Sequence, residues 1–192
     1  PSLPAFVHLR CHSEYSILDG IVRIDDYVKA AKKDAMPAIA LTDLSNLFGA
    51  IKFYKSARGA GLKPLIGCDV WIENPSNRDQ ATRALFLVQD LTGYRHLCEL
   101  LSKAFLENQY RGRAEIKQEW LIEANAGLIV LSGFKHGDVG QALIQDNTSA
   151  ARKCAEQWES LFPNRFYLEV QRTHEVGKHR VQDKLVQQTL LL

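Results

Sequence analysis

The chain has 192 residues, 46% of them hydrophobic and 24% charged, a balance that fits one globular domain with a core of its own. A formal net charge of +2 argues against a dedicated nucleic-acid-binding surface and leaves room only for a local basic patch. No apolar run approaches the roughly 20 residues of a bilayer-spanning helix, no signal-peptide pattern opens the chain, and the four cysteines form no CxxC pair, so free thiols are expected rather than a zinc knuckle.

In chain order, Ala5, Phe6, Val7 and Leu9 predict a first, buried strand. It runs into His8-Leu9-Arg10-Cys11-His12-Ser13-Glu14-Tyr15-Ser16-Ile17-Leu18-Asp19-Gly20. A strand-end histidine followed by an aspartate and a turn glycine can build a pocket for Zn²⁺, Mn²⁺ or Fe²⁺. It can equally be a hydrogen-bonded structural histidine. Asp25 and Asp26 open a helix with Tyr27, Val28, Ala31 and Ala35 on its apolar face, and Pro37 stops it. A strand is expected over 38–41, a helix over 46–58, a strand over 63–72 and a polar loop over 73–80. The alternation resumes with a strand at 84–88, a helix at 94–107, an irregular basic stretch at 108–115 and a short helix at 118–124. A strand at 127–131, helices near 139–145 and 149–161, a strand at 165–170 and a helix at 178–192 complete the reading.

About six strands, apolar rather than alternating and mostly followed by helices, predict a parallel sheet or barrel covered by helices. Periodicity alone does not separate a barrel from an open sheet. In such folds chemistry gathers at the carboxyl ends of the strands. The residues expected there are His12, Asp43 with Leu44, Asp69, Ser132–Phe134 and Arg172.

The stretches FVHLRCHSEYSILDG, MPAIALTDLSNLFGAIKFYKSARGAGLKPLIGCDVWI, LTGYRHL and GLIVLSG, in this order and spacing, resemble the PHP (polymerase and histidinol phosphatase) domains of bacterial replicative DNA polymerase III alpha subunits. The resemblance covers essentially the whole chain from Phe6. It implies an α/β fold of the distorted (β/α)7, TIM-like barrel type, truncated before its last strands, with 1–192 as an incomplete PHP domain and the polymerase domains outside this chain.

Carried over residue by residue, the resemblance implies a degraded metal site. Metal-binding members have an HxH pair where this chain reads Arg10-Cys11-His12, and TDHGN where it reads Thr42-Asp43-Leu44-Ser45-Asn46. Asp19 is kept, and Asp69 stands for the acidic ligand. A histidine position falls on Arg83 and a cysteine position on Phe134, while two further ligands would lie beyond Leu192. His12, Asp19 and Asp69 then remain as vestigial ligands, able to hold at most one Zn²⁺ or Mn²⁺ weakly. Guanidiniums among ligand positions repel metal cations and pair with leftover carboxylates, so Arg10 and Arg83 are expected within reach of Asp19 or Asp69.

The implied function is a catalytically inactive scaffold within a cytoplasmic DNA-directed DNA polymerase. It would support the polymerase core, dock the proofreading epsilon subunit and meet DNA only through the full-length protein and its holoenzyme, with Mg²⁺ serving the whole enzyme and no membrane involved. The alternative is a metal-dependent phosphoesterase, a 3′–5′ exonuclease or pyrophosphatase. Elsewhere His136, with a relocated ligand as its alternative, and His174 and His179 read as solvated residues. The basic run Tyr110-Arg111-Gly112-Arg113 with Lys117 reads as a solvated loop, with contact to DNA or a partner as its alternative, and Trp71, Trp120 and Trp158 read as packing residues.

Overall fold

The structure is a computed structural model that describes residues 6–17, 19–171 and 179–192. Arg172 and His174 lie outside the described residues. The chain divides into two compact units, the first made of residues up to Val70 with Leu85–Val88, the second of Trp71–Ala84 and Gln89–Leu192.

In the first unit, helix α1 (Ile24–Lys33) carries Asp25 and Asp26 in its first turn and Lys32 and Lys33 in its last, the charge order that complements the helix dipole. Its buried face is Ile24, Val28 and Ala31. Ala35 takes a left-handed φ of 53°, and Met36 donates back to the Ala31 carbonyl at 3.0 Å, so the helix is closed before Pro37. Strand β1 (Ala38–Leu41) is apolar and buried throughout, as a strand covered on both faces must be. Helix α2 (Ala50–Gly59) makes the crossover to β2 (Lys63–Ile72), which runs parallel to β1 in the register Ala38↔Lys63 to Leu41↔Ile66. Ile24, Val28, Ala31, Ile39, Leu41, Phe53, Ala57 and Leu62 form the core between them. Burying each larger side chain here contributes about 1.5–3 kcal/mol.

The expected first strand is not formed. His8 and Cys11 accept hydrogen bonds at 2.9 Å from Ala40 and Thr42 of the β1 line, but the segment advances three residues where β1 advances two. That mismatch breaks the ladder, and Phe6 is left 65% exposed instead of buried.

In the second unit, after Trp71 and Ile72 of β2 come the Thr82 end of β3 (Thr82–Val88) and then α3 (Leu91–Glu107), capped by Asp90, whose carboxylate accepts from the Gly93 amide at 2.9 Å. The stretch expected to be irregular is instead an antiparallel hairpin of β4 (Gln109–Tyr110) and β5 (Arg113–Ile116), and β5 pairs in parallel with Trp71 and Ile72. Basic side chains hid it, because the strands are two and four residues long and the apolar positions too few to show a period. After a 3-10 turn at Gln118–Ile122, β6 (Leu128–Leu131) pairs in parallel with the short β7 (Phe166–Tyr167). Helices α4 (Asp138–Ile144) and α5 (Thr148–Leu161) pack together, and α6 (His179–Leu190) closes the described chain.

By strand order the sheet reads β4-β5-β2-β3-β6-β7, with β1 paired to β2 off that path. Among the described residues the path has two ends, and parallel pairs stand beside the antiparallel β4–β5 pair, so the architecture is a mixed α/β sheet with helices.

Two features of the second unit yield predictions. A Cβ on Gly93 would stand 1.8 Å from the Gly127 carbonyl oxygen. Alanine normally gains about 1 kcal/mol over glycine inside a helix, but here the backbone clash wins. Gly93→Ala is expected to lose about 1–3 kcal/mol in urea unfolding, and a neutral or stabilising result would reject the close approach. Asp138 accepts from the Trp158 indole N–H at 2.9 Å and from the Val139 amide at 2.7 Å, tying α4 to α5. Burial pushes its carboxyl above the ordinary value, and these hydrogen bonds offset only part of that. The folded chain therefore holds this proton more tightly than the unfolded chain. The stabilisation is complete below the ordinary carboxylate range and is lost as pH rises through the raised value. Melting temperatures measured against pH should fall in that window, and Asp138→Asn should remove this fall.

Candidate functional site

The first unit contains a polar pocket built on two strand ends. Beyond β1 the chain stays in line with β2: the Asp69 amide donates to the Asp43 carbonyl at 3.1 Å, and Ser45 donates to the Asp69 carbonyl at 2.8 Å. Leu44 and Asp69 are thereby bridged in parallel, and Asp43 and Asp69 are delivered to one place.

Asp43, 1% exposed, organises the loop that carries His12. Its carboxylate accepts from the Ser13 amide at 2.6 Å, the Ser13 hydroxyl at 2.9 Å and the Ser16 hydroxyl at 2.7 Å. Ser16 Oγ in turn accepts from the Leu44 amide at 2.9 Å. A carboxylate without water needs several donors, and this turn supplies them from within seven residues of the first strand-end histidine. Sequence reasoning placed Asp43 at a strand end but gave Ser13 and Ser16 no role. Their spacing of three, in a turn ahead of a buried aspartate, is the signal that could have found them.

With the loop pinned, His12 lies between two carboxylates: Nδ1 is 3.0 Å from Asp19 Oδ2, and Nε2 is 2.9 Å from Asp69 Oδ2. Arg10 Nη1 donates to the same Asp69 oxygen. Asp69 is fully buried, Arg10 19% exposed and Asp19 47% exposed, so the guanidinium–Asp69 pair is the desolvated part of the group and Asp19 its wet rim. The three expected ligand residues are thus brought together, and Arg10 sits among them as expected.

The thiols nearby are not nucleophiles at neutral pH. Burial, then the Asp43 charge, pushes Cys11 up to about 11, and burial raises Cys68 as well, whereas a reactive cysteine needs its thiolate. Tyr27, also raised by burial, donates to the Ala40 carbonyl at 3.0 Å.

Residues arranged this way do not fit a multinuclear metal cluster. Such a cluster needs converging lone pairs around cations about 3.5–4 Å apart. Here both ring nitrogens of His12 already face carboxylates, and a permanent cation occupies Asp69. Among the described residues, no group of three or more His, Cys, Asp or Glu is arranged to hold a metal ion. Leu44 is half-buried and offers no donor atom. Arg83 and Phe134 belong to the second unit. There Arg83 lies over the Trp71 ring at 5.5 Å, and Phe134 is buried with a left-handed φ of 47°. His136 is exposed.

The PHP domain family matches residues 8–173. This chain is a PHP domain. Its relatives include the DNA polymerase III subunit alpha of Pseudomonas fluorescens, 48% identical over 173 residues, and that of Escherichia coli K12, 42% identical over 172 residues. Each alignment covers 90% of this chain and 15% of the relative, so the chain spans about one seventh of the length of the curated proteins it matches. A solved structure from Bifidobacterium adolescentis, named as a metal-dependent phosphoesterase, superposes with a TM-score of 0.56 over 98% of this chain and 84% of its own. At 14% identity that likeness concerns the fold alone. Among the described residues of this PHP domain, no helix is long and apolar enough to cross a membrane.

Proposed function

We propose that this PHP domain is a structural and docking part of a replicative DNA polymerase III alpha subunit and performs no hydrolysis itself. The observation that carries the reading is the Arg10 guanidinium on buried Asp69, with His12 held between Asp69 and Asp19. A charge fixed to the chain fills the position where an active relative needs an exchangeable cation, and it pairs with Oδ2 of the carboxylate that would otherwise recruit one. His12, Asp19 and Asp69 are, in this reading, remnants of a ligand set turned to structural use. The identity to alpha subunits supports a holoenzyme setting; the cytoplasm as its location and the proofreading epsilon subunit as the docked partner are part of the same proposal. We also infer the barrel arrangement of the family, since the likeness to the phosphoesterase extends over nearly the whole chain.

Purified protein should neither extend a primer, nor shorten a DNA 3′ end, nor hydrolyse pyrophosphate with Mg²⁺ or Mn²⁺ supplied. Turnover that depends on metal and disappears in His12→Ala would reject the scaffold and establish a phosphoesterase. Binding of epsilon, measured by surface plasmon resonance, tests the docking part separately.

A further inference from the structure

We propose that the β4–β5 hairpin tip is a phosphate contact for a single nucleic-acid strand, with Arg111 as the contacting cation and Asp79 as its internal competitor. Arg111 and Gly112 form a two-residue turn, both with left-handed φ, 49° and 78°. Such turns favour Asn-Gly, and an arginine at the first position strains the backbone. The result is a guanidinium held 68% exposed at the apex of the hairpin.

The surroundings suit a polyanion. Arg78, Arg111 and Arg113 all lie over the Tyr110 ring, at 4.7, 5.4 and 5.7 Å. Arg78 and Arg113 are anchored from within by fully buried Glu115, at 2.9 and 3.0 Å, so their positions are fixed before any ligand arrives. Arg111 pairs with Asp79, at 2.7 Å, and Asp79 is itself half exposed and also accepts from the Tyr110 hydroxyl at 3.0 Å. A surface ion pair of this kind is weak. A phosphodiester, which can take two N–H donors from one guanidinium, displaces it readily. The stacked guanidinium and tyrosine planes offer bases a surface that an acidic peptide would not use. Choosing a nucleic acid over such a peptide rests on the polymerase setting proposed above; the binding test needs no polymerase or docking assay, so the two readings stand or fall apart.

The test is fluorescence anisotropy of the 192-residue chain with labelled oligothymidylate at low salt, followed by a salt titration. Arg111→Ala is expected to weaken binding several-fold and to reduce the salt slope by about 0.7. Asp79→Asn is expected to tighten it by up to about fivefold, the release of one surface pair. The opposite signs separate a ligand contact from a merely structural network, in which both changes would weaken binding. Both residues are exposed, and unchanged melting confirms that the variants fold. Absence of binding, indifference to Arg111→Ala, weakening by Asp79→Asn, or equal competition by polyglutamate would overturn the proposal, as would displacement of nothing but inorganic phosphate.

Discussion

Arg10→Ala is expected to lower stability by about 3 kcal/mol, which for a chain of this size corresponds to a fall in Tm of about 6–12 °C. The size follows from burial. Asp69 is fully buried, and removing its guanidinium leaves a carboxylate with His12 but without its permanent counter-charge. An exposed pair would lose well under 1 kcal/mol. Because the cost lies in the uncompensated charge rather than in the pair itself, Arg10→Met combined with Asp69→Asn should recover most of the loss. Urea unfolding of the two singles and the double completes the cycle. An Arg10→Ala change within about 0.5 kcal/mol of the parent would show that the pair is solvated and that the pocket does not depend on it.

Asp43→Ala should be as damaging, for a different reason. Its carboxylate collects the Ser13 amide and the Ser13 and Ser16 hydroxyls, and alanine leaves these buried donors without their acceptor. Leaving a buried donor unmade costs about 1–3 kcal/mol, so a total near 3 kcal/mol is expected after the hydroxyls rotate to new partners. Ser16→Ala should cost only about 1 kcal/mol. The local readout is hydrogen exchange at the Ser13 amide, which should accelerate in Asp43→Ala far more than the amides of β1. Uniform acceleration across the unit would mean that Asp43 supports the core generally and does not pin the loop.

These two residues also mark how far the sequence could be read. Strand β2 was legible to the residue over 63–72, because ten residues with an apolar, glycine-containing middle have few other options. The acidic opening of α1 at Asp25 and Asp26 was equally plain. The segment 6–9 misled, because its composition is that of a strand while its register against β1 slips by one residue, and register is a tertiary property. In the site, Arg10, His12, Asp19 and Asp69 were named together only through the family resemblance. Nothing in their spacing of 2, 7 and 50 residues along the chain brings them to one pocket. The serine donors of Asp43 were missed because hydroxyls in turns are common and acquire meaning only when a carboxylate is buried over them.

The guanidinium on Asp69 also changes when the pocket can be completed. A metal site is finished only after an ion arrives from outside, so it depends on supply, on competition among divalent ions and on chelators. Arg10 leaves the ribosome with the rest of the loop, two residues before His12. On the proposed scaffold reading, assembly of this pocket is therefore first order in the chain and independent of any ion's concentration, because the cation on that aspartate oxygen is part of the chain itself.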